Sequence, residues 1–539
     1  MTLPSPPADR VGRETLAHDA LIVTVCTLVS RLTGFARVLV AAAILSNGVL
    51  GDTYHAANVV PNLLFELVAG GVLQAVLVPT FVAARREGGD DQLGRTAGVF
   101  VSVITAGLAV LVAVGLALSP FIARVLASGE PDGGVQADKI DLITPMLLVF
   151  VPQILFYGLG MVASAALAAK RRFAAAALAP AVNNIVVITA YVLFWQARDG
   201  AAPSLALTPG QFLLVAGGTT LAVAAFTAIP AIVLSASGVR WRPRWDLRDP
   251  AVGVLRGSFG WAMLSVVGTL LPTAAAIVLG YGAQGGVAVF TMAFAFFVLP
   301  HALIAVPIAT ATAPRIAEAA QAGRSDQVAV LIRRSAQVVV PTLLLAGAAM
   351  ATLAWPIART AVFGDAGSQG LAPIAHTLAV FGPGLLGYGM AFVLTRILFS
   401  LGDVRTTAIL VSSAAVVGVA SMVAASAVFS DDDRSTALAL GFGVTQLVSA
   451  ALLTARARVL TGAPTWRFVA ELGTGAAVAA VAAGGVMLLV QGAFGDDRWS
   501  AIGAIIVAGL AGVTTFVAVL RLVGGPRWTT LARRGVDAI

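Results

Sequence analysis

Long apolar runs follow one another along this chain, each about as long as a bilayer is thick, and short polar turns separate them. Counting runs of about 20 residues as crossings predicts about fourteen spans. They fall at 20–46, 57–84, 96–127, 141–168, 174–195, 210–236, 251–282, 286–312, 335–363, 371–400, 406–429, 435–455, 468–493 and 499–523. The runs are continuous in Ala, Val and Leu and lack the period-two alternation of a barrel strand, so the spans are read as helices. The breaks carry turn chemistry: Gly282–Gly286, Ser430–Asp433 and Gly495–Asp497. The pattern is that of an all-α polytopic membrane protein.

Composition agrees with the pattern. Over 539 residues the chain is 58% hydrophobic and 11% charged, with a mean hydropathy of +0.93, unlike any soluble globular domain. The net charge of +8 raises nucleic acid as a partner. The distribution of that charge argues against it and for no nucleic-acid partner. Basic residues gather in alternate loops: Arg85, Arg86 and Arg95; Lys170, Arg171 and Arg172; Arg240, Arg242, Arg244 and Arg248; Arg315, Arg324, Arg333 and Arg334; Arg405; Arg456, Arg458 and Arg467. The opposite loops hold little beyond Lys139, Arg198, Arg434 and Arg498, with acidic residues such as Asp431–Asp433. The bias places both termini in the cytoplasm. The stretch 239–250, VRWRPRWDLRDP, reads as interfacial, with Trp at headgroup depth. Residues 1–18 read as a disordered cytoplasmic tail, and 525–539 as a second tail. A single cysteine, Cys26, excludes a disulfide framework.

An internal repeat organises the spans. VFVPQILFYG (149–158) in the fourth is echoed by VFGPGLLGYG (380–389) in the tenth, and Pro79, Gly88, Asp91 and Gln92 pair with Pro314, Gly323, Asp326 and Gln327 at nearly the same separation. An offset of six helices keeps the copies in one orientation, so the expected plan is two parallel six-helix lobes, 19–238 and 239–455, with two extra helices at 456–524.

No catalytic motif is present: the four histidines are scattered, and there is no phosphate loop and no nucleophile elbow. The chain therefore reads as a transporter rather than an enzyme, with no cofactor or metal. The informative residues are charges inside apolar runs. Arg31 and Arg37 lie in the first span, Glu66 in the second and Asp52 in the turn between them. A charge at the bilayer centre costs about 3 kcal/mol or more, so such residues face a wet cavity or a partner. The two arginines form either an anion site or structural pairs with Asp52 or Glu66. Guanidinium suits phosphate, because its planar fork donates two hydrogen bonds. Arg256 and Arg396, near span ends, read as snorkelling side chains, and Glu471 as a helix-end charge.

SRLTGFARVLVAAAI (30–44), then Gly51-Asp52, PNLLFELVAGGVLQAVLVPTFVA (61–83), LAPAVNNI (178–185) and TRILFSLGDVRTT (395–407) occur in order. In these motifs the chain resembles the MurJ (MviN) lipid II flippase family of the multidrug/oligosaccharidyl-lipid/polysaccharide exporter superfamily. The resemblance implies two six-helix lobes plus two helices in the inner membrane. It also implies movement of the undecaprenyl-diphosphate-linked peptidoglycan precursor from the inner to the outer leaflet. Arg31, Arg37 and Asp52 match charged family positions, with the arginines holding the diphosphate. Glu66 and Asn62, from the PNLLFE stretch, complete the substrate-binding set. The chain departs from the family at Phe65-Glu66, where a basic pair is common, and in the uncharged FTMAFAFFVLP (290–300) of the eighth span. Expected partners are the lipid-linked precursor, the bilayer and cell-wall synthesis proteins, with the chain itself a monomer. A flippase for another polyprenyl-linked glycan, a drug/cation antiporter and a membrane scaffold are the competing readings.

Overall fold

The computed structural model describes residues 8–46, 48–69, 72–130, 132–246, 250–281, 283, 285–362 and 370–524. These are nearly all helical, with no strand among the described residues. In order the helices are α1 (Ala8–Leu45), α2 (Val49–Ala69), α3 (Val72–Ala127), α4 (Gly133–Phe150), α5 (Gln153–Ala169), α6 (Ala174–Ala197), α7 (Pro209–Phe212), α8 (Gly218–Ala236), α9 (Pro250–Gly280), α10 (Gly286–Gln321), α11 (Ser325–Thr352), α12 (Ala354–Ala361), α13 (Ala372–Ser400), α14 (Val404–Val428), α15 (Arg434–Thr461), α16 (Ala463–Gln491) and α17 (Arg498–Gly524). Among the described residues, twelve stretches are long and apolar enough to cross a membrane by length and composition, against the fourteen that the pattern predicts. The expected second span is present as two helical pieces, α2 and the start of α3. The expected seventh is α9, whose described apolar part is Leu264–Gly280. The first helix begins at Ala8, inside the stretch read as a disordered tail; the expected tail at 525–539 lies outside the described residues.

Local chemistry sets the helix ends. α7 starts at a capping box: Thr208 Oγ1 accepts from the Gln211 N–H (3.3 Å), and Gln211 Oε1 accepts from the Thr208 N–H (3.0 Å), with Pro209 at the first helical position. α3 is broken within its length at Gly88 and Gly89; Gly89 has φ +65°, a conformation that only glycine adopts readily. Gly323, the repeat partner of Gly88, turns the chain at φ +66° between α10 and α11. The fourth span breaks at Val151-Pro152, between α4 and α5, whereas its echo around Pro383 stays within one helix, α13.

The chain divides into two compact units. Unit 1 comprises the chain up to Ala41, Ala57–Ala123 and Ile140–Gly260; α8 packs on α5 and α6 there. Unit 2 comprises Ala42–Ala56, Arg124–Lys139 and the chain from Trp261 onward. Its core is α10, α11, α13, α14 and α15, and α16 and α17 pair and lean on α11. Small residues let the backbones approach, as between spanning helices generally: a Cβ on Gly384 of α13 would come within 2.9 Å of the Gly443 Cα on α15. The uncharged FTMAFAFFVLP segment is part of this core. Phe290, Phe294 and Phe297 lie on one face of α10 and meet Phe381, Tyr388 and Phe442, with ring centroids 4.7 Å apart for Phe297–Phe381 and 5.3 Å for Phe294–Phe442. A cation at this stretch would displace packed rings.

Candidate functional site

In unit 1 the site is built by α1 and α6. Arg31 is exposed and makes no ion pair or hydrogen bond among the described residues. Arg37, six residues on, is half-buried, and its Nη1 donates to Asn183 Oδ1 at 3.4 Å. The next residue of α6, Asn184, holds α1 itself: its Nδ2 donates to the Ser30 carbonyl and to Thr33 Oγ1, both at 3.2 Å. Gly34 leaves room for that amide, since a Cβ there would lie 3.3 Å from Asn184 Nδ2. Both asparagines are buried. In a low-dielectric setting a buried amide without partners is costly, so this pair fixes α1 against α6 with Arg31 and Arg37 on either side of the anchor. Sequence reasoning missed Asn183 and Asn184 as functional residues. Their signal was two consecutive amides inside an otherwise apolar span.

Asn62, on α2, is partly buried, and its Nδ2 donates to the Asn58 carbonyl one turn back at 3.1 Å. Glu66 is also on α2, and its side chain lies outside the described residues. The structure thus brings Arg37 to an amide, and no carboxylate pairs with Arg31 or Arg37 among the described residues.

Asp52 belongs to unit 2 and is fully buried. Its Oδ2 accepts from the Gly285 N–H and its Oδ1 from the Ala288 N–H, each at 2.7 Å. Tyr281 donates its hydroxyl proton to the Asp52 carbonyl at 3.0 Å. The carboxylate is therefore a remote cap on α10, satisfying N–H groups that have no partner within that helix and meeting the positive end of its dipole. Lys139, read from the loops as an outside charge, is fully buried: it pairs with Glu130, and its Nζ lies 5.0 Å from the Tyr281 ring centroid. Arg396 is exposed and sits over Phe392, with its guanidinium carbon 5.4 Å from the ring centroid. Glu471 makes an exposed i,i+4 pair with Arg467, of little energetic weight. The side chain of Arg256 lies outside the described residues.

These features define a class: a polytopic helical membrane protein of two units, with guanidinium groups on its first span that are not neutralised by carboxylates among the described residues. A polar head group with negative charge is the chemistry they fit. Comparison with known proteins narrows the class. The family described as "Lipid II flippase MurJ" matches residues 41–505. A probable lipid II flippase MurJ of Rhizobium tropici is 29% identical over 71% of this chain and 70% of its own length. A lipid II flippase MurJ of Burkholderia cenocepacia is 26% identical over 72% and 74%. The fold is that of a solved lipid II flippase MurJ in an inward closed conformation, with a TM-score of 0.70 at 16% identity, over 93% of this chain and 98% of that one. The chain belongs to the lipid II flippase MurJ family.

Proposed function

We propose that this protein is a flippase that carries undecaprenyl-diphosphate-linked peptidoglycan precursor from the inner to the outer leaflet by alternating access. The observation that carries the reading is the first span: Arg31 is unpaired among the described residues, and Arg37 is steered by a neutral amide rather than a carboxylate. Both guanidinium groups are available to an anion. A diphosphate is far too costly to move through hydrocarbon unaided. Each charge-assisted hydrogen bond to it would contribute about 1.5–3 kcal/mol. Arg31 and Arg37 hold the diphosphate, Asn183 and Asn184 position them, and Asn62 and Glu66 of α2 complete the substrate-binding set. Asp52, in unit 2, holds the start of α10. An antiporter for cationic drugs would want an available carboxylate in its cavity, and Asp52 is engaged with backbone N–H groups. The repeat-related lobes, 19–238 and 239–455, supply the two access states, with the helices of 456–524 added. Both termini are cytoplasmic in this reading, the chain acts as a monomer beside cell-wall synthesis proteins, and it catalyses no covalent step.

Complementation tests it. Expression should restore growth to bacteria depleted of their own lipid II flippase, and its own depletion should build up lipid-linked precursor in the inner leaflet. Build-up of a different glycan lipid would overturn the substrate assignment.

A further inference from the structure

On unit 1, the segment after α8 leaves the helix at Gly238 and runs as a strap, Arg240–Trp245, with no regular secondary structure. It is seated on α3. The Arg244 N–H donates to the Gly98 carbonyl at 3.1 Å. A Cβ on Gly94 would come within 2.7 Å of the Arg240 carbonyl oxygen, and one on Gly98 within 2.0 Å of that of Arg242. Two glycines one turn apart thus form a bare track for the strap's backbone. Val239 is buried at its start, and Trp241 Nε1 donates to Ser235 Oγ at 2.9 Å.

The clamped backbone fixes what points outward. Arg240, Arg242 and Arg244 alternate with Trp241, Pro243 and Trp245. In extended chain, residues two apart share a side, spaced by about 6.6 Å. All three arginines are exposed, Trp245 is 64% exposed, and none of the three guanidinium groups has an ion pair or hydrogen bond among the described residues. Two nearby basic residues are tied down. Lys170 is tied to Asp90 and to the Ser237 carbonyl, and Arg85 to Asp90 and to the Ala169 carbonyl. The row on the strap has no such tie among the described residues, nor have the exposed Arg86, Arg95, Arg171 and Arg172. Asp246, which follows the row, leaves the strap net positive.

We propose that the strap is a binding site for anionic phospholipid headgroups. The arginine row takes the phosphodiesters of the leaflet it lies against, with Trp241 and Trp245 at headgroup depth, a placement Trp favours. The inference rests on the membrane setting alone and not on the cargo proposed above. Each basic side chain near an anionic surface contributes about 1 kcal/mol, or roughly fivefold in local lipid occupancy.

The test uses full-length protein in lipid nanodiscs and isolates the Trp245 emission as wild type minus Trp245→Phe. Quenching by brominated phosphatidylglycerol is compared with quenching by brominated phosphatidylcholine at equal mole fraction. The expected result is a preference for phosphatidylglycerol of about tenfold or more. In the combined Arg240→Gln, Arg242→Gln, Arg244→Gln protein it falls to parity while quenching by phosphatidylcholine persists, which shows the strap still in place. Equal quenching by both lipids in the wild type, or a preference that survives the triple substitution, would overturn the proposal. So would a preference abolished by inorganic phosphate at matched ionic strength, which would make the strap a site for free phosphate. If the triple variant loses quenching by both lipids, the single variants Arg242→Gln and Arg244→Gln decide, each expected to lower the preference severalfold.

Discussion

Removing the Asp52 carboxylate leaves the buried N–H groups of Gly285 and Ala288 without acceptors. Each orphaned donor costs about 1–3 kcal/mol, so Asp52→Ala should destabilise unit 2 by about 2–6 kcal/mol. Asp52→Asn keeps the shape and one carbonyl oxygen, but its amide NH2 faces the second N–H. It should cost roughly half as much. Asp52→Glu must fit an extra methylene into a site with no exposed surface, at about 1–3 kcal/mol. The assay is the fraction of detergent-solubilised protein that remains monodisperse after a fixed heating time, because unfolding of such a chain is expected to be irreversible and is read as a rate. The order of stability should be wild type, then Asn, then Ala. An Asp52→Ala protein that survives heating as well as wild type, yet no longer transports, would refute the cap and return Asp52 to direct contact with the cargo.

Asn184→Leu removes the donor that holds Ser30 and Thr33 while keeping the number and branching of side-chain heavy atoms. The two membrane hydrogen bonds lost are worth only about 0.6–2 kcal/mol each, so protein level in the membrane should hold while complementation falls severalfold; unchanged complementation would remove Asn184 from the site. At the turn before α14, the hydrogen bond from Arg456 is the largest cause holding the Asp403 carboxyl below its ordinary value of 3.8. A depressed folded pKa means that the stabilisation is present above pH 3.8 and is lost as pH falls through the lower, folded value. Heat resistance should therefore hold down to that region and drop below it. In Arg456→Gln it should be lower at neutral pH, with a weaker acid dependence.

Much of the fold was legible because apolar length and turn chemistry are local. Gly323, the Asp431–Asp433 turn and the Gly88 break stand where the turn signals and the repeat put them. The site was legible as residue types but not as partners. Asp52 looked like a cavity charge, yet its partners are backbone N–H groups of Gly285 and Ala288, and every residue carries such a donor, so no sequence pattern announces them. Lys139 looked like a loop charge. Its burial depends on Glu130 and Tyr281 meeting it, the second of them far along the chain. Asn183 was visible only as a polar residue in an apolar span. That it faces Arg37, 146 residues away, is set by how α6 packs on α1.

The central claim is that Arg31 and Arg37 hold the diphosphate during crossing. Its most direct test is the rate at which purified protein in sealed vesicles moves fluorescent lipid-linked peptidoglycan precursor between leaflets, read by an impermeant quencher. Wild type should accelerate exchange over empty vesicles. Arg31→Ala and Arg37→Ala, each lacking about 1.5–3 kcal/mol of charge-assisted bonding, should slow it about tenfold or more at roughly 1.4 kcal/mol per decade. Arg→Lys, which keeps the charge without the fork, should fall between. Wild-type rates in both alanine variants, with the precursor still moving, would contradict the account.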